Sequence, residues 1–283
     1  MTARSVLFGP AQRLDFIEKF VRAGADIGVL DLEDATAETA KGEARDAVRS
    51  LRKSRAQLEG LQLFVRINPL GSPHFSADLK AVAESGATGI MVPKIEADTE
   101  MHAVKAALRE AGLGDALLCA GIESVPGVYR AAEICGAHPD LVYFGAEDFI
   151  TDMGGVRTES NHEVAYARAH VVLAARLANV DALDQVVTDF HDVSRFEREA
   201  NEARQLGFVG KLCIHPSQVS LANAAFTPTP EDLLHARKIV EAADSAEASG
   251  SGVIAVDGAM VDAPIIIRAR RLLASWEEAD NQP

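Results

Sequence analysis

The stretch "IGVLDLEDA", Ile27 to Ala35, is a short apolar run that ends in acidic residues. Its first part is continuously apolar rather than alternating, which is typical of a parallel strand covered on both faces. Seven more short apolar or β-branched runs follow the same pattern, at residues 5–8, 63–68, 89–95, 117–123, 141–147, 184–190 and 210–216. The sequence therefore predicts eight parallel strands.

Helical patterns separate the predicted strands. "DTEMHAVKAALREAG" and "VSRFEREANEARQLG" are examples, with apolar residues at three- and four-residue spacing. Eight successive strand–helix units fit a (β/α)8 TIM barrel better than a doubly wound open sheet, which remains an alternative. We assign residues 1–220 to the barrel. Residues 221–283 are predicted to form a C-terminal helical extension with a lid that packs on a neighbouring subunit.

Composition and charge exclude some classes of partner. The 283 residues carry 28 basic and 42 acidic side chains, a formal charge of −14 that repels nucleic acid and anionic membranes. No apolar run is long enough to span a bilayer, and the N-terminus does not resemble a signal peptide. The three cysteines lie singly, which is typical of reduced thiols in a cytoplasmic protein.

Polar residues follow most of the predicted strands. They are Asp31, Glu33, Asp34, Arg66, Asn68, Lys94, Glu123, Ser124, Glu147, Asp148 and His215. The carboxyl ends of barrel strands meet at one mouth, so these side chains are expected to converge there. Crowded carboxylates repel one another until a proton or a cation binds. Oxygen ligands without Cys or His pairs favour Mg²⁺ over Zn²⁺, and Glu123 with Asp148 is the best candidate pair.

Each of these residues also has a structural interpretation. A carboxylate could cap the following helix or pair with Arg66, and Arg66 could be a structural ion pair rather than a clamp for a carboxylate or an oxyanion. Lys94 could balance the acidic charge or take part in catalysis. His215, before a proline, is better explained as a turn residue than as a base. The glycine-containing segment 152–157 could bind phosphate, but more often such a loop only allows a turn.

Seven motifs occur in order across nearly the whole chain: "LDLEDA", "VRIN", "VPKI", "GIES", "GAEDF", "GKLCIHPSQ" and "VDGAMVDAP". Together they resemble the family of the citrate lyase β-subunit and the malyl-, methylmalyl- and citramalyl-CoA lyases, within the HpcH/HpaI aldolase superfamily. The resemblance implies a TIM barrel, Mg²⁺ and reversible carbon–carbon cleavage of a 3-hydroxyacyl-CoA thioester to an acyl-CoA and a 2-keto acid. It also implies a homotrimer or hexamer.

The resemblance also implies individual roles. Glu123 and Asp148 match the metal carboxylates, Arg66 matches the arginine at the keto-acid oxygen, and Asp34, with Glu33 beside it, matches an acid near metal-bound water. Asp262 matches an acid/base carried on a C-terminal lid from a neighbouring subunit, and Arg13 and Lys19 match the segment that holds the CoA phosphates. "LFGPAQR" and "GVRTESN" depart from the family pattern, at the CoA-binding turn and after strand six.

Alternatives remain open at this point. Asp262 could simply cap the helix that begins near Pro264, since proline is favoured in a first turn. The same scaffold could hydrolyse a malyl-CoA-type thioester, act as a citryl-acyl-carrier-protein lyase subunit in a complex, or cleave a free hydroxy-keto acid.

Overall fold

The computed structural model describes residues 3–52, 61–249 and 254–280. Strands and helices alternate along most of the chain. The barrel strands are β1 (Ser5–Pro10), β2 (Ile27–Asp31), β3 (Gln62–Arg66), β4 (Gly89–Val92), β5 (Leu117–Ile122), β6 (Leu141–Phe144), β7 (Asp181–Asp184) and β8 (Gly210–Cys213). The helices among and after them are α1 (Asp15–Ala23), α2 (Lys41–Ser50), α3 (Phe75–Ser85), α4 (Asp98–Glu110), α5 (Val125–Tyr129), α6 (Ala131–Gly136), α7 (Ala146–Met153), α8 (Ala165–Ala178), α9 (Val193–Leu206) and α10 (Pro216–Phe226).

The eight strands form a closed parallel barrel. Each strand pairs with the next in sequence, and β8 closes the barrel by pairing with β1 through registers such as Val6 with Leu212. The predicted TIM barrel is confirmed, and the open-sheet alternative is wrong because both edges are paired. All eight strands run the same way, so their carboxyl ends share one mouth.

Two apolar layers hold the barrel together. Side chains inside it come from alternate strand positions, as expected from the two-residue period of a strand. They are Val6, Ile27, Val29, Phe64, Met91, Cys119, Leu141, Tyr143, Leu183 and Leu212. The intervening positions face the helices and form the larger outer core. All three cysteines are free and buried in these layers.

The seventh strand lies earlier than the sequence pattern predicted. It spans Asp181–Asp184, whereas the apolar run at 184–190 follows it into the mouth. The sequence misled here because Asp184 is charged yet fully buried. Arg168 of α8 binds its carboxylate through two hydrogen bonds of 2.9 and 3.0 Å, and Lys211 of β8 approaches it to 2.6 Å. Paired on the outer face of the sheet, Asp184 can occupy a strand position that its charge would otherwise forbid.

The described residues 227–249 and 254–280 form a second compact unit, distinct from the described residues up to 226. It contains α11 (Pro230–Ser249), a hairpin of β9 (Ile254–Val256) and β10 (Ala259–Val261), and α12 (Ala263–Asp280). The two-residue turn is Asp257-Gly258, with φ of 49° and 83°, the positive values that a type I′ hairpin requires. Within the described part of the chain, no helix combines the length and apolar character needed to cross a bilayer.

Candidate active site

An arginine–aspartate pair lies at the mouth of the barrel, where β2 and β3 end side by side. Asp31 and Arg66 are register partners at the last position of each strand. Nε of Arg66 donates to Oδ1 of Asp31 at 2.8 Å and Nη2 donates to Oδ2 at 2.6 Å. The same carboxylate accepts the backbone N–H groups of Glu33 and Ala35, each at 2.9 Å. Asp31 therefore orients the guanidinium and shapes the turn that follows β2.

Glu33 extends this pair into a charged cluster. Its Oε2 lies 3.1 Å from Nη1 of Arg66, and Nζ of Lys94 donates to its Oε1 at 2.7 Å. Lys94 Nζ also lies 3.6 Å from Oδ1 of Asp148 at the start of α7. Burial raises the pKa of Glu33, although the charges of Arg66 and Lys94 oppose this effect. Lys94 balances the acidic cluster, as one sequence interpretation proposed.

Glu123, directly after β5, is almost fully buried beside this cluster. Its Oε1 accepts two hydrogen bonds, from the backbone N–H of Lys94 at 2.8 Å and from the hydroxyl of Tyr143 at 3.0 Å. Burial, followed by the negative charge of Glu33, raises the pKa of Glu123 to about 7. The charge of Asp148 acts in the same direction. The carboxyls predicted to converge therefore share one electrostatic environment.

The donor set suits a hard divalent cation. Among the described residues, Oε2 of Glu123 accepts no hydrogen bond. Asp148 presents a second carboxylate, whose side chain is 41% exposed. A buried carboxylate with a raised pKa gains from a nearby cation, and Mg²⁺ is commonly held by one or two carboxylates plus water. No group of three or more His, Cys, Asp or Glu arranged for a metal occurs within the described ranges. A cation here would thus depend on water or substrate oxygens as well.

The other predicted site residues occupy more exposed positions. Asp34 is 60% exposed, with Oδ2 3.7 Å from Nη2 of Arg66. Arg13 and Lys19 both pair with Asp15, at 2.8 and 3.2 Å. His215 accepts the backbone N–H of Ser217 at 3.2 Å, which is the turn role that its sequence context favoured.

Asp262, in the second unit, precedes α12. Its Oδ1 lies 3.4 Å from the backbone nitrogen of Ile265, so it makes a long capping contact of the kind that the sequence left open. The neighbouring Asp257 is the turn residue of the hairpin and pairs with Lys238 at 3.2 Å.

Sequence reasoning missed two supporting residues. The buried Lys41 donates to the carbonyl oxygens of Leu32 and Glu33 and to Oδ1 of Asn68, which fixes the turn after β2. Tyr143 lies inside the barrel beneath Glu123. The one available signal was a hydroxyl in the otherwise apolar strand "LVYF", because a buried tyrosine O–H usually finds a partner.

Known proteins of similar sequence and structure belong to one family. The family profile described as HpcH/HpaI aldolase/citrate lyase matches residues 4–216. A citrate lyase subunit beta-like protein from Deinococcus radiodurans is 44% identical over 279 residues, covering 96% of both chains. A (3S)-malyl-CoA thioesterase from Cereibacter sphaeroides is 33% identical over 276 residues, covering 97% of this chain and 94% of the relative. The crystal structure of CitE from Mycobacterium tuberculosis with magnesium, acetoacetate and coenzyme A has a TM-score of 0.79 at 33% identity, covering 95% of this chain and 96% of that one.

Proposed function

The chain belongs to the HpcH/HpaI aldolase/citrate lyase family, and from this premise we propose that it is a Mg²⁺-dependent carbon–carbon lyase. Its substrate is a 3-hydroxyacyl-CoA thioester of the malyl-, methylmalyl- or citramalyl-CoA type. Reversible cleavage gives an acyl-CoA and a 2-keto acid such as glyoxylate or pyruvate. The observation that supports this most is the cluster of Arg66, Glu33, Glu123 and Asp148 at one end of the barrel.

Glu123 and Asp148 are the residues that would hold the cation, through Oε2 of the first and the carboxylate of the second. Bound there, Mg²⁺ supplies positive charge that stabilises the hydroxyl and carboxylate oxygens of the keto-acid half of the substrate. The CitE structure with magnesium, acetoacetate and coenzyme A supports the choice of metal.

Arg66 provides a fixed positive charge for the oxygen that becomes the keto group. Asp31 occupies two of the five N–H donors of this guanidinium, and Oε2 of Glu33 lies 3.1 Å from Nη1 without a hydrogen bond. The remaining donors can approach a substrate oxygen from the mouth, because 12% of the side chain is exposed. A donor oriented before substrate binds stabilises developing charge without reorganisation.

Cleavage also leaves an acyl-CoA enolate that must be protonated at carbon. We assign this proton transfer to Asp262, delivered from a neighbouring subunit of a homotrimer or hexamer. A lid that closes over the mouth would also exclude water from the enolate and thioester. Arg13 and Lys19, near the carboxyl end of β1, are the proposed contacts for the CoA phosphates.

A thioesterase is the second candidate, because the relative from Cereibacter sphaeroides carries that name at 33% identity. An activated water at the same cation would then attack the thioester carbonyl. A citryl-acyl-carrier-protein lyase subunit in a complex is a third candidate, supported by the name of the Deinococcus radiodurans relative. The acidic segment with Asp262 favours the first candidate over this one.

One assay separates these candidates. Purified protein with Mg²⁺ is given malyl-, methylmalyl- and citramalyl-CoA, and keto acid and free thiol are followed separately with and without EDTA. Keto acid without free thiol, lost with EDTA, is the expected result. Free thiol without keto acid would establish the thioesterase instead. Turnover of none of the three thioesters would refute both CoA activities and direct attention to a carrier-protein thioester.

A further inference from the structure

Tyr143 is buried inside the barrel, with 1% of its surface exposed, and its hydroxyl bonds to Oε1 of Glu123 at 3.0 Å. It lies in β6, next to the strand β5 that leads into Glu123. On the other side of β5, the chain after β4 brings the backbone N–H of Lys94 to the same oxygen at 2.8 Å. Both donors therefore converge on Oε1 from the two strands that flank β5.

From this arrangement we infer that Tyr143 is a positioning residue for the metal site: its hydroxyl, with the backbone N–H of Lys94, holds Oε1 of Glu123 so that Oε2 faces the cation. The inference rests on the proposed function, because it concerns the cation that Glu123 and Asp148 would hold. A carboxylate with one oxygen held by two hydrogen bonds cannot rotate freely. Its other oxygen is therefore presented in one direction before the cation arrives.

The local sequence leaves room for this contact. Gly121 is the register partner of Tyr143 across β5 and β6. A Cβ at Gly121 would lie 2.5 Å from the Tyr143 hydroxyl, so any larger residue there would displace the ring. Lys94 takes φ of 56°, a left-handed conformation that non-glycine residues rarely adopt. An unusual backbone conformation at Lys94 and the absence of a side chain at Gly121 thus accompany the two hydrogen bonds to Oε1.

A purely structural role for Tyr143 predicts a different behaviour. If the hydroxyl only needed a partner inside the barrel, removing it would change stability but not the affinity for a cation. Partners that orient a metal ligand typically contribute about 10- to 100-fold in metal affinity. The backbone N–H of Lys94 remains in place when the hydroxyl is removed. We therefore expect an effect at the lower end of that range.

The test is calorimetric titration of Mg²⁺ into full-length protein carrying Tyr143→Phe, with wild type, Glu123→Gln and Tyr166→Phe in parallel. Tyr166 is exposed on α8 and stacked on His170, so its variant loses a phenolic hydroxyl away from the site. Tyr143→Phe is expected to bind Mg²⁺ about tenfold more weakly, and Tyr166→Phe to match wild type. The electron paramagnetic resonance spectrum of bound Mn²⁺ is expected to broaden in Tyr143→Phe alone, which reports ligand geometry rather than stability.

Failure of the inference and failure of the proposed metal site give different results. Wild-type affinity and an unchanged Mn²⁺ spectrum in Tyr143→Phe, with Mg²⁺ binding lost in Glu123→Gln, would refute the role of Tyr143 alone. Undiminished Mg²⁺ binding in Glu123→Gln would refute the metal site itself.

If Tyr143→Phe does not fold, a variant with both Tyr129→Phe and Tyr166→Phe decides, because Tyr143 is then the one tyrosine left of the three in the sequence. A tyrosine band in its ultraviolet difference spectrum on adding Mg²⁺ supports the inference, and absence of the band refutes it.

Discussion

Arg66 and Asp31 form a two-pronged ion pair at the last positions of adjacent strands, with N–O distances of 2.8 and 2.6 Å. The sequence left two interpretations of Arg66, a structural ion pair and a clamp for a carboxylate or an oxyanion. The two are compatible, because the ion pair with Asp31 also directs the guanidinium into the mouth. Burial alone would lower the pKa of Arg66, but the charge and hydrogen bonds of Asp31 raise it well above its ordinary value. Arg66 is therefore a permanent cation in the site.

The first prediction concerns this pair. Arg66→Lys keeps the charge but loses the fork that matches Asp31, so kcat/KM for the CoA thioester should fall about 10²- to 10³-fold. Arg4→Lys is the matched control, because Arg4 forms a similar two-pronged pair with Asp26 before the start of β1. Steady-state kinetics on both variants is the measurement. Equal losses in the two would show that stability, not orientation of the guanidinium, explains the effect.

The second prediction follows from the raised pKa of Glu123. Its folded value is about 7, against an ordinary 4.5, so the folded protein binds an extra proton between these values. The stability that this extra proton gives the folded state is therefore fully present below pH 4.5 and is lost as pH rises through 7. Glu123→Gln should remove this dependence and be the more stable of the two above pH 7, by on the order of 3 kcal/mol without metal. Denaturant unfolding in EDTA at several pH values measures it.

Adding Mg²⁺ should change the stability of the two proteins in the opposite sense, in favour of wild type. Mg²⁺ should stabilise wild type at pH 8 and leave Glu123→Gln unchanged, because a ligand stabilises only the state that binds it. A wild-type advantage at pH 8 even in EDTA would contradict the assignment of Glu123 as a buried, unfavourably charged group.

The third prediction concerns the space around Glu123. A Cβ at Gly145 would lie 2.4 Å from Oε2 of Glu123, so Gly145→Ala must displace the carboxylate. Mg²⁺ affinity measured by calorimetry should fall roughly tenfold or more. Gly42→Ala on α2, where an added Cβ has no neighbour within 4 Å, should bind Mg²⁺ normally. Normal Mg²⁺ binding by Gly145→Ala would show that Oε2 does not face the cation.

The fourth prediction tests the proposed acid/base. Asp262→Asn should lower kcat about 10²- to 10⁴-fold, because the amide cannot transfer the proton. Stability should change little, since asparagine caps a helix as well as aspartate does. Asp257→Asn is the matched control, because it makes the same substitution in the hairpin just before Asp262, and the exposed carboxylate of Asp257 contacts only Lys238 and His235 among the described residues. Full activity in Asp262→Asn would leave Asp262 with its capping contact to Ile265 as its only role.

The strands could be predicted from the sequence because the barrel is built from local, repeated units. Continuous apolar runs such as "IGVLD" identify strands buried on both faces, and parallel strands must bring their carboxyl ends to one mouth. Convergence of Glu33, Arg66 and Glu123 therefore followed from the fold class alone. Asp184 shows the limit of this reasoning, because its burial depends on Arg168 and Lys211, which are distant in sequence.

What the sequence determined by itself was the class of fold and the residue types gathered at the mouth, since hydrophobic periodicity and strand direction are local properties. Only the tertiary structure decided which atoms meet. Asp31 rather than Asp34 binds Arg66 in two places, and Tyr143 reaches Glu123 from inside the barrel. These contacts depend on register between neighbouring strands and on the space left at Gly121 and Gly145. Side-chain direction and close packing arise only when separate strands are brought together, so no pattern within a single segment encodes them.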